Sequence, residues 1–212
     1  MARIATTTLF SLLALLCLAV ALFSARFFLP TPFMAEGMAG HLQARPAVLL
    51  AHIGGGVAAL ALGTFQLVTW RGPRRTWHRL AGRIYVAACL IGAVAGLGLA
   101  LTSPAGPVAS IAFALLAVCW FTTTLMGWRK AVTGDFAQHR RWMLRSLSLT
   151  FAAVTLRIMI PLAEIWRLDF AVAYPAIAVL CWVPNLLLME LWLRVWGWEA
   201  RLPAPLRNAG NG

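Results

Sequence analysis

Residues 71–83, RGPRRTWHRLAGR, crowd five arginines and a histidine between two long apolar runs, and residues 135–145, DFAQHRRWMLR, repeat that pattern at the start of a later run. Positive charge concentrated at helix ends stays on the cytoplasmic side of a membrane and sets the direction in which the flanking helices cross. On either side of these patches the chain falls into apolar stretches of about 20 residues, the length a helix needs to span the hydrocarbon core. With 61% apolar and 11% charged residues, the chain is expected to be all-α, a polytopic transmembrane helix bundle. Six spans are predicted, at residues 9–29, 47–70, 83–102, 108–128, 143–163 and 170–193.

No connection between them is long enough for a soluble domain, so residues 1–200 read as one transmembrane domain. The Pro-, Gly- and Asn-rich residues 201–212 read as a disordered cytoplasmic tail. The loops after spans two and four carry Arg71, Arg74, Arg75, Arg79 and Arg83, then Arg129, Lys130, Arg140, Arg141 and Arg145; the opposite loops hold Arg45 and Arg167. Both termini are therefore expected in the cytoplasm. The formal charge of +12 is accounted for by this bias and by attraction to anionic lipids, not by nucleic-acid binding. Trp70, Trp77, Trp128, Trp142, Trp192, Trp196 and Trp198 fall at the cytoplasmic interface, where amphipathic rings prefer to lie; Trp120 and Trp182 are mid-depth exceptions. The N-terminal run lacks a small-x-small cleavage site and reads as a retained first helix rather than a signal peptide. Cys17, Cys89, Cys119 and Cys181 stand alone in spans and read as small packing residues.

Polar residues follow helix faces. Span two aligns His52, Gly55, Gly56, Ala59, Gly63, Gln66 and Trp70. A third helix begun near Thr76 aligns His78, Gly82, Tyr85, Cys89, Gly92 and Gly96, and span five aligns His139, Ser146, Thr150, Ala153, Arg157 and Glu164. Such faces point into a bundle, because lipid leaves polar groups unpaired. Gly92 and Gly96 have the G-x-x-x-G spacing that lets helix backbones approach. The glycines after His52 would equally clear room for a flat ring.

At about 1.5 Å per residue, His52 lies about 8 Å and Arg157 about 9 Å below the outer surface. His78, His139, Gln66 and Glu190 lie at the inner side, so Glu190 is too far away in depth to pair with Arg157. That leaves Glu164, a lipid or ligand anion, or backbone carbonyls as partners for Arg157; Pro161 frees one such carbonyl, that of Arg157 itself. Asp135 followed by Gln138 fits a capping box that starts the fifth helix and puts His139 in its first turn. His78 and His139 would then stand at one depth on two helices, as bis-histidine haem ligation requires.

LAHIGGGVAALALGTFQ (50–66), WHRLAGRIYV (77–86), GDFAQHRRWMLRSLSLTFAAVTLR (134–157) and CWVPNLLLME (181–190) resemble the signature blocks of the bacterial membrane-protein family known as domain of unknown function 2306. The resemblance runs from about Arg45 to Arg194 and implies a bundle of six to seven spans. The layout of the histidine-bearing helices is also similar to that of two-haem transmembrane b-type cytochromes, with His78 and His139 in the places of one ligand pair. The chain departs from that pattern at the second pair, because span four has no histidine and His41 is the sole outer candidate partner for His52.

Two functions are compatible with these residues. One is electron transfer through a haem b held by His78 and His139, with Arg79, Arg83 and Arg140 on its propionates. In that reading His52, Arg157 and Glu164 form an outer site for a quinone or an anionic redox partner. The alternative is a non-redox small-molecule or proton-coupled carrier, or a lipid-binding scaffold, whose polar cavity is lined by His52, Arg157, Glu164 and Glu190. Hydrolase and phosphate-loop motifs are absent, and zinc lacks companion ligands near His78 and His139.

Overall fold

The computed structural model describes residues 2–28, 42–69 and 75–195. His41, Trp70, Arg71, Arg74, Trp196, Trp198 and the 201–212 tail lie outside the described residues. Every regular element described is a helix: α1 (Ala2–Ala25), which runs into a 3-10 turn (Arg26–Phe28), α2 (Pro46–Thr69), α3 (Arg75–Ala100), α4 (Pro107–Val132), α5 (Phe136–Thr150), α6 (Ala152–Ile165), α7 (Phe170–Leu180) and α8 (Val183–Val195). They form six lengths apolar enough to cross a membrane, with α5–α6 and α7–α8 each acting as one broken span.

Helices α3 and α5 begin earlier than the apolar runs do, because hydropathy marks only the part of a helix that crosses lipid. The first turns of α3 carry Arg79 and Arg83 on exposed positions. At the start of α5, the Asp135 side chain accepts the backbone N–H of Gln138 at 3.1 Å, as the capping motif predicts.

The breaks have local causes. Around Phe151, Thr150 Oγ1 donates to the Ser146 carbonyl at 2.9 Å and Thr155 Oγ1 to that of Phe151 at 3.3 Å, a back-bonding that bends helices. At Cys181 and Trp182 the interruption precedes Pro184, which has no N–H to return to the Leu180 carbonyl. At the end of α6, Arg167 takes the left-handed conformation (φ 53°), and the Leu168 N–H closes onto the Ala163 carbonyl at 3.0 Å.

Helices α2 to α5 form the centre, α1 lies outside against α2 and α6, and α7–α8 lies against α4 and α5. The closest pairing is α2 with α3, where a methyl group on Gly55 would stand 2.6 Å from the Ala88 carbonyl oxygen and 2.8 Å from Gly92 Cα. Apolar side chains such as Leu12, Leu15, Leu22, Ile91, Val94, Ile111, Leu187 and Leu188 are exposed on the outside. Polar side chains concentrate inside instead: Thr124, Ser146 and Thr150 are buried. Apolar exterior with hydrogen-bonded interior is the arrangement a bilayer favours, since lipid gives apolar groups no reason to turn inward.

Candidate functional site

The middle of the bundle is closed by a network of hydroxyls contributed by three helices. Tyr85 of α3, 1% exposed, places its hydroxyl 2.9 Å from Ser146 Oγ and 3.1 Å from Thr150 Oγ1 on α5. From α4, Thr124 Oγ1 lies 2.7 Å from Ser146 Oγ, and Trp120 Nε1 donates to Thr150 Oγ1 at 3.0 Å. Thr124 and Thr150 also reach the Trp120 and Ser146 carbonyls. Among these, five hydroxyl contacts share four hydroxyl protons, so the protons can redistribute without moving a heavy atom. Trp120, an exception to the interfacial placement of tryptophans, is explained by its bond to Thr150. Trp182 is buried as well, and its Nε1 has no partner.

This network sets the register of α3 against α5. His78 precedes Tyr85 by seven residues and His139 precedes Ser146 by seven. Seven residues are close to two helical turns, about 10 Å along the axis, and return to nearly the same face. The two histidines therefore stand at one level, both on the arginine-rich side of the Tyr85–Ser146 bond, and lie close enough to act on one another electrostatically. The backbones of α3 and α5 make little direct contact, so the space between them is crossed by side chains.

Each histidine is positioned from behind. His139 Nδ1 lies 2.7 Å from the Gly127 carbonyl of α4, which leaves Nε2 as the free ring nitrogen. Gly127 is glycine because Met143 occupies the space a Cβ would take, its sulfur 2.5 Å from that position. Behind His78, Gln66 Nε2 of α2 donates to the His78 carbonyl at 2.8 Å, while the buried His78 Nδ1 has no partner. Asp135 secures the first turn of α5, with Lys130 Nζ 3.1 Å from its Oδ2. The Gln138 N–H, and after it Lys130, hold the Asp135 carboxyl below the usual carboxylate range.

Glu190, predicted as an inner polar residue, is joined to Arg145 by two contacts, from Nε to Oε1 and from Nη2 to Oε2 at 2.9 Å. This pair ties α8 to α5. It also separates Glu190 from His52 and Arg157, so the four residues of the expected polar cavity do not meet in one place.

At the opposite end, His52 and Arg157 lie within electrostatic reach of one another. His52 Nδ1 lies 2.9 Å from the Gly92 carbonyl, and its ring occupies the space beside Gly96, 2.8 Å from where a Cβ would sit. The glycines of this face thus accommodate helix α3 and the His52 ring itself. Arg157 Nη1 donates to the Ala153 carbonyl at 3.0 Å, the backbone alternative among its expected partners. Glu164 is exposed two turns beyond, and neither ion pair among the described residues includes it. Sequence reasoning missed Arg26, which stands within electrostatic reach of Arg157. An arginine closing an apolar run was the available signal. Thr124 was missed too, although Thr122–Thr124 interrupts an otherwise apolar span.

Comparisons with curated proteins and with solved structures gave no match. The family model described as a predicted membrane protein (DUF2306) matches residues 49–193, and that stretch carries every residue of the hydroxyl network, both paired histidines, His52 and Arg157. The chain belongs to this DUF2306 family of membrane proteins.

Proposed function

We propose that the protein is a membrane redox protein that holds one haem b between His78 and His139, on the side the arginine-rich loops assign to the cytoplasm. The observation that carries this reading is the register set by Tyr85 and Ser146, which brings two imidazoles to one level on helices whose backbones stand apart. The bond from His139 Nδ1 to Gly127 supports it: ligating histidines usually donate their second ring N–H to a carbonyl, which fixes the tautomer and aims the other nitrogen. His78 differs: its buried Nδ1 has no hydrogen-bond partner among the described residues, so its ring is not oriented in the way that of His139 is.

Haem with two histidine ligands supplies one-electron chemistry. The chain's own contribution is positioning and charge. Arg79 and Arg83, exposed on the first turns of α3, are available to carboxylates at the membrane surface, and Arg140 follows His139 directly.

The test is an oxidised-versus-reduced visible spectrum of detergent-purified protein expressed with ample haem, with pyridine haemochrome stoichiometry. About one low-spin haem per chain, abolished in His78→Ala and in His139→Ala, is the expected result. A colourless wild type under these conditions, or alanine variants that keep their haem, removes the reading.

A further inference from the structure

At the other end of the bundle, positive charge is gathered where, among the described residues, no acidic group pairs with it. Helix α1 packs on α2 and α6 through Val20, Ala21, Leu60 and Val154. Arg26 follows Val20 and Ala21 by five to six residues and Arg157 follows Val154 by three, while Phe27 packs on Leu49 and Ile53, which flank His52 in α2; the two guanidinium groups lie within electrostatic reach of one another. Arg26 lies over the Phe23 ring at 3.8 Å and reaches the Phe27 ring at 5.3 Å, yet its buried Nε has no hydrogen-bond partner among the described residues. Of the donors on Arg157, one is used by the Ala153 carbonyl. Among the described residues, neither arginine has an ion-pair partner, and Glu164 is exposed elsewhere on α6.

Two like charges within an apolar span repel each other and lose hydration, so such an arrangement calls for an anion between them. A planar guanidinium fork suits the oxygens of a phosphate group, and the exposed Phe23 and Ile158 on the same helices line the approach with apolar surface. We propose that Arg26 and Arg157 form a receptor for a phosphate group, borne by an anionic phospholipid headgroup or by soluble phosphate, with His52 as the neighbouring wall. This site does not depend on haem being bound: it lies at the other end of the bundle and shares no residue with the His78–His139 pair.

The experiment uses delipidated full-length protein and two readouts, the thermal midpoint and native mass spectrometry, with three probes: phosphatidylglycerol, phosphatidylcholine and inorganic phosphate. Retention of phosphatidylglycerol by wild type, weakened about tenfold or more in Arg26→Gln and in Arg157→Gln, supports the site with a lipid source. A response to inorganic phosphate with the same dependence on the arginines supports it with a soluble source. If Arg157→Gln does not fold, Arg26→Gln and the wild-type titrations still decide. Wild type that binds neither phosphatidylglycerol nor phosphate more tightly than phosphatidylcholine, or Gln variants that bind as wild type does, would overturn it.

Discussion

The two ends of the bundle both carry histidine and arginine, but they use them differently. At the arginine-rich end, His78 and His139 lie within electrostatic reach on helices that do not pack closely; α4 holds the His139 ring, and Gln66 of α2 bonds the His78 backbone. At the other end, His52 is enclosed in the closest helix contact of the molecule, with its Nδ1 on the Gly92 carbonyl and its ring beside Gly96. Under the haem reading, the same residue type serves as a ligand where the helices are spaced and is part of the packing where they touch. What separates the two is the distance between backbones, set by Tyr85 at one place and by Gly55 and Gly92 at the other.

The largest effect that tests this contrast is on cofactor content. Under the haem reading, His139→Ala loses all haem absorbance while His52→Ala retains it, and the purified variants are compared by pyridine haemochrome. Equal loss in both would break the contrast, because it would make His52 a participant rather than a packing residue.

Next in size are the glycines. Gly55→Ala forces a methyl group to within 3 Å of the Ala88 carbonyl and the Gly92 backbone, where neither side can yield easily. It is expected to destabilise by about 1–3 kcal/mol, even though alanine has the better helix propensity. Gly56→Ala is the control: a methyl there meets nothing within 4 Å, so it should be neutral or stabilising by up to about 1 kcal/mol. Thermal midpoints of the two variants should move in opposite directions, and a shared direction would show that this contact does not hold α2 on α3.

A smaller loss is expected at the centre. Tyr85→Phe removes the hydroxyl that joins Ser146 and Thr150, but Thr124 and Trp120 still reach those two groups. The cost should be about 1–2 kcal/mol in unfolding free energy, that of one net hydrogen bond plus partial loss of satisfaction. If Tyr85 sets the register of the histidines, the same variant should also broaden or shift the haem bands; unchanged bands would assign that register to α4 alone.

Much of this was legible in the sequence, for physical reasons that can be traced to particular residues. Span number and the face shared by His78 and Tyr85 follow from hydropathy and the helical repeat, and the start of α5 follows from Asp135 and Gln138. Which glycine serves which neighbour does not follow, because Gly55 and Gly56 are adjacent and alike in sequence while one meets a backbone and the other open space. The pairing of Glu190 with Arg145 was also hidden, since it depends on how α8 docks against α5 and not on the position of either residue along its own helix. Arg26 was visible but looked like a helix-end charge, and its relation to Arg157 exists only once α1 lies against α6.

The smallest expected effect concerns the cap that starts α5. Asp135 accepts the Gln138 N–H and pairs with Lys130, and both interactions depress its pKa in the folded protein. A depressed carboxylate contributes stability that is fully present above its unfolded value and is lost as pH falls through the folded one. The thermal midpoint of wild type should therefore decline through a component that sets in below about pH 4 and is absent in Asp135→Asn, which keeps a capping oxygen but cannot titrate. Because the cap lies one turn before His139, acidification in that range should loosen the first turn of α5 while leaving His52, packed between α2 and α3, unaffected. Hydrogen exchange at the first turn of α5, compared with the His52 turn of α2 at pH 6 and pH 3.5, separates these outcomes. Equal protection of both turns at the lower pH would mean that the cap does not govern the arginine-rich end.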